Sequence, residues 1–393
     1  MDTMKVVVID SSNSGHREMY YKQFARTWKA MGCKTTLLAP AGIEIDDTNI
    51  VVRPLALAQL RRLPSNKPLK KRLTILYNAY VRLRNLPRLW RNIKMEHPDF
   101  VFFAYLDDIL PTIAPLWLFN KLFPFHWGGL LIYSDLPSYK WFVPDVRPFL
   151  RSKYCVGVGV LNEYIVERLQ VWQPRTMLFP DFTDTTPPGT SYPLVQELIR
   201  KANGRKVVSI LGSIDSRKGI ELLCRSIDML SEESYFFLIA GKSALVAQQE
   251  EDLRAVEQRH ENCLFVLERI PDEACFNALV ANSDLIFAAY QHFTGSSNLL
   301  TKAAYFHKPV LVSQGYCMGK RVEKLRTGAV IPENNVEACV SAIQNLCFSP
   351  GIDAASFDGY YSHHTVEKLT DCLRRFLPPP AGGGGGSRNV SYR

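Results

Sequence analysis

The sequence predicts an α/β protein made of two doubly wound, Rossmann-like domains facing each other across a cleft. Three observations predict it. Short β-branched runs alternate with helix-spaced stretches up to about residue 180, and a second such series runs from about 206 to 347. Between them lies Thr183-Asp-Thr-Thr-Pro-Pro-Gly-Thr-Ser191, rich in turn residues and poor in apolar ones, as in an interdomain linker. The expected boundaries are a first domain over 1–182, a linker over 183–200, a second domain over 201–350 and a loose tail over 378–393.

The elements follow in order. Lys5-Val-Val-Val-Ile-Asp10 is a buried parallel strand that meets the turn residues Ser11-Ser-Asn-Ser-Gly15. His16 to Met31 has helical spacing at Tyr20, Phe24 and Trp28, and Gly32 is placed to cap it. Thr35–Ala39 is a second strand, which completes a βαβ unit. Strands are expected at Phe100–Ala104, Leu130–Tyr133, Val156–Val160 and Met177–Phe179. In the second series they are expected at Lys206–Leu211, Tyr235–Ala240, Leu264–Val266, Asp284–Phe287 and Pro309–Val312. Helices are expected at Gly219–Leu230, Asp272–Ala281 and Pro332–Cys347, and from about Phe357 to Leu377, where Pro378-Pro-Pro380 stops any helix. The tail holds five consecutive glycines before Ser387 and resembles a flexible linker followed by a short peptide.

Composition narrows the class. The 393 residues are 47% hydrophobic and 22% charged, which excludes a disordered chain. No apolar run reaches the ~18–20 residues of a membrane span. The opening Met1-Asp-Thr-Met-Lys5 lacks the pattern of a signal peptide, so a cytoplasmic protein is expected. The nine cysteines are scattered without a Cys-x-x-Cys pair, which suits reduced core thiols better than a disulfide frame or a zinc site. The charge is concentrated: Thr48–Met95 holds twelve Lys or Arg and no Asp or Glu, more than the whole net charge of +9. Its residues 53–94 read as an amphipathic surface helix, or as a dock for an anionic membrane at the inner face. No nucleic-acid module accompanies the charge, so nucleic acid is not an expected partner.

The strongest local signal is Leu211-Gly-Ser-Ile-Asp-Ser-Arg-Lys-Gly-Ile220, which follows a strand and opens a helix. Gly212 permits the turn, and Arg217 and Lys218 place two cations where a helix N-terminus already favours anions, so a diphosphate fits. A second loop, Phe293-Thr-Gly-Ser-Ser-Asn-Leu-Leu300, offers Gly295, Ser296, Ser297 and Asn298 to an anion. Its other reading is a Ser-rich helix cap. In the first half, Ser14 and Gly15 form a similar loop, and His16 beside them can reach a sugar hydroxyl or a phosphate. Asp135 and Asp107-Asp108 follow strands of that half and are its carboxylates placed to face a cleft.

These motifs resemble a known family. Gly212-Ser-Ile-x-x-Arg-Lys-Gly219, Phe237–Lys242, Ile270-Pro-Asp-Glu273, and Asn298-Leu-Leu-x-Lys-Ala-Ala304 with Lys308-Pro-Val310 resemble the donor half of GT-B glycosyltransferases, in the retaining family 4 and family 1-like group. The resemblance covers 206–345. It implies a nucleotide-sugar donor (UDP-, GDP- or dTDP-linked) and an acceptor-binding first domain, with the helix 357–377 packing back on that domain. It implies no metal and no other cofactor, because Arg217 and Lys218 would neutralise the leaving diphosphate. It places the nucleobase near Arg269 and Ile270, and makes His16 and Asp135 the catalytic candidates. The family's Glu-x7-Glu pattern falls on Thr294 and Lys302, so Lys302 stands where a ribose-binding Glu is expected. Three alternatives remain open: the tail as a tethered peptide acceptor, a nucleotide-sugar epimerase, and a catalytically silent scaffold.

Overall fold

A computed structural model of the protein describes residues 3–12, 17–61, 68–110, 114–132, 146–349 and 351–377. Among them the chain builds two parallel sheets. The first has seven strands: β1 (Lys5–Ile9), β2 (Lys34–Ala39), β3 (Val51–Pro54), β4 (Phe100–Phe103), β5 (Trp127–Leu131), β6 (Cys155–Val160) and β7 (Thr176–Leu178), in the order β3-β2-β1-β4-β5-β6-β7. The second has six: β8 (Lys206–Leu211), β9 (Tyr235–Ala240), β10 (Cys263–Val266), β11 (Leu285–Ala288), β12 (Val310–Ser313) and β13 (Gly328–Ile331), in the order β10-β9-β8-β11-β12-β13. In both sheets the order reverses beside the first strand, next to β1 and next to β8. Ligand sites of open α/β sheets form at such switch points, beyond the carboxyl ends of the strands.

The strands are continuous apolar runs because both faces of each sheet are covered. Every residue of β9 is buried. Successive side chains feed opposite cores: Val101 and Phe103 of β4 enter one, Phe100 and Phe102 the other. The second sheet divides in the same way, with Val207 and Leu211 on one face and Val208 and Ile210 on the other.

Several elements differ from expectation. The helix Pro193–Ala202 begins inside the segment 183–200 read as linker and runs past its end. Its Leu194, Val195 and Leu198 enter the core of the second half, so that half begins before 200. Short β3 and β13 and the polar helix Ala247–Arg259 bury too few side chains to announce themselves. Strand β5 starts at Trp127, three residues before the expected Leu130, through a Gly128-Gly129 pair that reads as a turn. The pair is needed because a Cβ at Gly128 would lie 2.7 Å from the Phe376 ring.

The C-terminal stretch is two helices, Ala354–Ser362 and Val366–Arg374. Phe357 and Tyr360 of the first pack in the second half. Leu369, Leu373 and the following Phe376 pack in the first half. The chain therefore returns to the first half at His363-His364. The tail 378–393, with its proposed linker and acceptor peptide, lies outside the described residues. Among the described residues no helix is long and apolar enough to cross a membrane, and no group of His, Cys, Asp or Glu is arranged to hold a metal ion.

Candidate active site

The loop after β8 sits at the switch point of the second sheet. Its backbone is crowded there: Gly241, at the end of β9, has φ +144°, and a Cβ on it would meet the Gly212 carbonyl oxygen at 1.7 Å. Only glycine lets the two strand ends close to this distance. Asp215 caps one turn of 3-10 helix, Ser216–Lys218, by accepting the Arg217 N–H. The helix Ile220–Ile227 follows. Lys218 is half-buried, and its Nζ donates to the Leu211 carbonyl at 2.9 Å and the Tyr290 hydroxyl at 2.7 Å. Arg217 is more open: its side chain is 55% exposed, pairs with Asp215 at 2.7 Å and lies over the Phe293 ring.

The two anion-type loops form one surface, because the Arg217 carbonyl accepts the Gln291 N–H at 2.7 Å. Gly295 lies in the middle of the second loop, half-buried against the Phe293 ring. Ser297 is the N-cap residue of the helix Asn298–Tyr305 and makes no side-chain cap bond, and Asn298 is buried at its first turn. Ser296 departs from the expected role. Its hydroxyl donates to the Asp181 carboxylate and accepts from Arg321 Nη1 at 2.6 Å, so its side chain is spent on a seam between the halves.

That seam was not foreseen. Arg321 grips Glu163 through Nε and Nη2 at 2.7–3.1 Å and also donates to the Leu161 carbonyl. Burial pushes the Glu163 carboxyl up, but the hydrogen bonds and charge of Arg321 outweigh it and hold the pKa below its ordinary value. Asn162 donates to the Thr294 carbonyl at 3.0 Å, which joins the carboxyl ends of β6 and β11. Asp181, fully buried, accepts from Tyr20 and Ser296, while its N–H donates to Nδ1 of His364 at 3.0 Å. The two points where the chain passes between halves, 181 and 364, are thus bonded to each other. Burial raises the Asp181 carboxyl. Burial, then the nearby charges of Arg321 and His363, holds His364 well below its ordinary pKa and keeps it neutral. Partners 115 to 183 residues apart leave no spacing signal.

Arg269 and Ile270 follow β10 at the carboxyl edge of the second sheet, Arg269 exposed and Ile270 packed on the core. Lys302 is not available to a nucleoside. It is 1% exposed, and its ammonium donates to Glu273 at 2.8 Å, to Asn277 and to the Asp184 carbonyl at 3.2 Å. An ammonium has three donors, and all three are used inside the protein.

In the first half, His16, Ser14, Gly15 and Asp135 lie outside the described residues. Their flanks are ordered by charge. Buried Asp10 accepts from Arg17 Nε at 3.0 Å and from the Ser12 N–H at 2.9 Å, and Arg17 also pairs with Asp108 and covers the Tyr105 ring. Asp107 accepts the Ile132 N–H at 2.9 Å. The pair Asp107-Asp108 is therefore engaged in holding the loop ends, not held open toward a cleft.

Comparison with known proteins agrees with this geometry. Residues 205–348 match the family model described as Glycosyl transferases group 1. No match is found among curated protein sequences. A glycosyltransferase from Rickettsia africae ESF-5 superposes with TM-score 0.67 at 14% identity, over 96% of this chain and 98% of that one. Sucrose-phosphate synthase from Thermosynechococcus elongatus gives TM-score 0.67 at 14% identity, over 95% and 98%. HepE from Anabaena, solved in complex with UDP-glucose, gives TM-score 0.63 at 15% identity, over 94% and 98%. Residues 205–348 thus match the model of group 1 glycosyl transferases, and the chain as a whole has the two-sheet α/β fold of these GT-B structures.

Proposed function

We propose that the protein moves a sugar from a nucleoside diphosphate donor to an acceptor, with the donor held beyond the carboxyl ends of β8 and β11. The observation that carries this reading is the joint surface of the two loops, with Arg217 and Lys218 at the head of a helix beside Gly295, Ser297 and Asn298. The UDP-glucose complex of HepE supports a nucleotide sugar as the donor class. The nucleobase lies by Arg269 and Ile270. In the reaction the bond between the anomeric carbon and the diphosphate oxygen breaks. The acceptor oxygen bonds to that carbon and gives up its proton. Negative charge grows on the diphosphate as it leaves, and the two cations with the helix N-terminus stabilise it where it develops. The protein's own cations thus do the work a metal does elsewhere. The family resemblance makes retention of anomeric configuration the expected outcome, and His16 and Asp135 are the catalytic candidates of the first half. The acceptor is met at the inner face of an anionic membrane, through residues 53–94.

The test is incubation with UDP-, GDP- and dTDP-sugars, scored by release of the nucleoside diphosphate. Release from one class, weakened in Arg217→Ala and Lys218→Ala, supports the reading. Failure to bind any nucleoside diphosphate overturns it.

A further inference from the structure

The basic segment folds as one long helix, Pro68–Glu96, whose exposed face changes chemistry along its length. Leu69, Leu73, Leu76, Tyr77 and Tyr80 are 71%, 60%, 56%, 37% and 55% exposed. At ~100° per residue these five fall within an arc of about 100°, a single apolar stripe over the first turns. Exposed Arg84, Arg88 and Arg91 continue the same arc toward the C-terminus, and Lys70 and Arg72 flank the stripe on either side. The opposite face is anchored, with Leu86, Leu89 and Ile93 buried in the first half.

The same helix is fastened to the segment 58–61. Asn85 brackets Ala58, and Asn78 accepts the Arg61 N–H and donates to its carbonyl, both at 2.8 Å. Gln59, in the segment so held, donates to the Ser11 carbonyl at 3.0 Å. The middle of the helix, at Asn78 and Asn85, is therefore tied to a segment that meets Ser11 just past the carboxyl end of β1.

We propose that residues 69–91 of this helix insert into an anionic bilayer, Leu69–Tyr80 in the acyl boundary and Arg84, Arg88 and Arg91 on the headgroups, and that the acceptor is a bilayer-borne amphiphile. Paired apolar and cationic segments on one face match a lipid interface, where each has its counterpart. Duplex nucleic acid would use the cations and leave the leucines in water. The proposal rests on the acceptor assignment above, and its test is independent of donor chemistry.

The experiment is co-sedimentation of the full chain with phosphatidylglycerol/phosphatidylcholine vesicles and with phosphatidylcholine alone, alongside donor turnover in solution. Wild type should prefer the anionic vesicles at least tenfold. Each lost cation should weaken binding about fivefold, so Arg84→Glu with Arg88→Glu and Arg91→Glu should cost 100-fold or more. Leu73→Ser with Leu76→Ser should weaken binding tenfold or more even in high salt, which screens only the charge. Lost vesicle binding with retained donor turnover marks these variants as docking variants. Wild type that ignores anionic vesicles at low salt overturns the proposal. So does a Leu→Ser pair that binds as wild type while a duplex oligonucleotide competes, and so does a dimer that the Leu→Ser pair dissolves.

Discussion

Both sheets carry a charged loop at the same switch point, one after β1 and one after β8, and they treat its cation differently. In the first half Arg17 is buried between Asp10 and Asp108. In the second, Arg217 remains more than half exposed on the outer surface, and half-buried Lys218 is tied only to neutral oxygens. Burial with two carboxylates quenches a cation's field and makes it a structural member. Exposure beside a helix N-terminus leaves a field that an arriving anion can use. The same topological position thus serves architecture in one half and, in the proposed function, ligand binding in the other.

Breaking the comparison on the structural side should give the largest effect. Arg17→Ala leaves Asp10 in the core without its charge partner, and loss of one member of a buried pair costs about 3–5 kcal/mol. Urea unfolding should show that loss. An unchanged midpoint would mean that the pair is solvated and the contrast is false.

On the ligand side, Lys218→Ala should lower donor affinity by about 1.5–3 kcal/mol, roughly 10- to 150-fold. Isothermal titration with the nucleoside diphosphate measures it. Arg217→Ala should act in the same direction. Wild-type affinity in both variants would remove the diphosphate from this loop.

Lys302 sharpens the contrast, since it is a buried cation in the second half. Lys302→Met should destabilise by about 1–3 kcal/mol, because Asn277 and the Asp184 carbonyl lose their donor. Affinities for uridine and deoxythymidine diphosphates should keep their ratio. A changed ratio would return Lys302 to the nucleoside site.

The smallest expected effect concerns the join between the halves. Folded His364 stays neutral, whereas in the unfolded chain it takes a proton near its ordinary 6.5. The unfolded state therefore binds more protons as pH falls below 6.5, and stability drops by about 1.4 kcal/mol per pH unit from this group. Asp181, raised by burial, works in the opposite sense. The difference between wild type and His364→Gln isolates the histidine: the variant should lose stability less steeply between pH 6.5 and 5.5. Parallel curves would show that His364 is not sealed from water.

Much of the fold was legible because burial on both faces of a parallel sheet demands long apolar runs. Lys5–Ile9, Tyr235–Ala240 and Lys206–Leu211 carry that demand openly. The placement of the loop after β8 was legible as well, since a strand, a glycine, two cations and a helix must stand in that order to present charge at a helix head. Less was legible where an element is short, polar or glycine-bearing, as in β3, the helix Ala247–Arg259 and β5. The helix Pro193–Ala202 was hidden behind the turn-rich residues that precede it.

The sequence by itself determined which segments become strands and helices, and that two anion-type loops sit at strand ends, because these follow from neighbours a few residues apart. Only the tertiary structure decided what each charged side chain is for. Ser296 and Lys302 read as ligand groups from their motifs, yet Asp181, Arg321, Glu273 and Asn277 claim their polar atoms first. A hydrogen-bonding group buried among polar partners satisfies itself there, since leaving it unpaired costs more than any local preference supplies. Those partners come from elements far apart in the chain, so no local pattern records them.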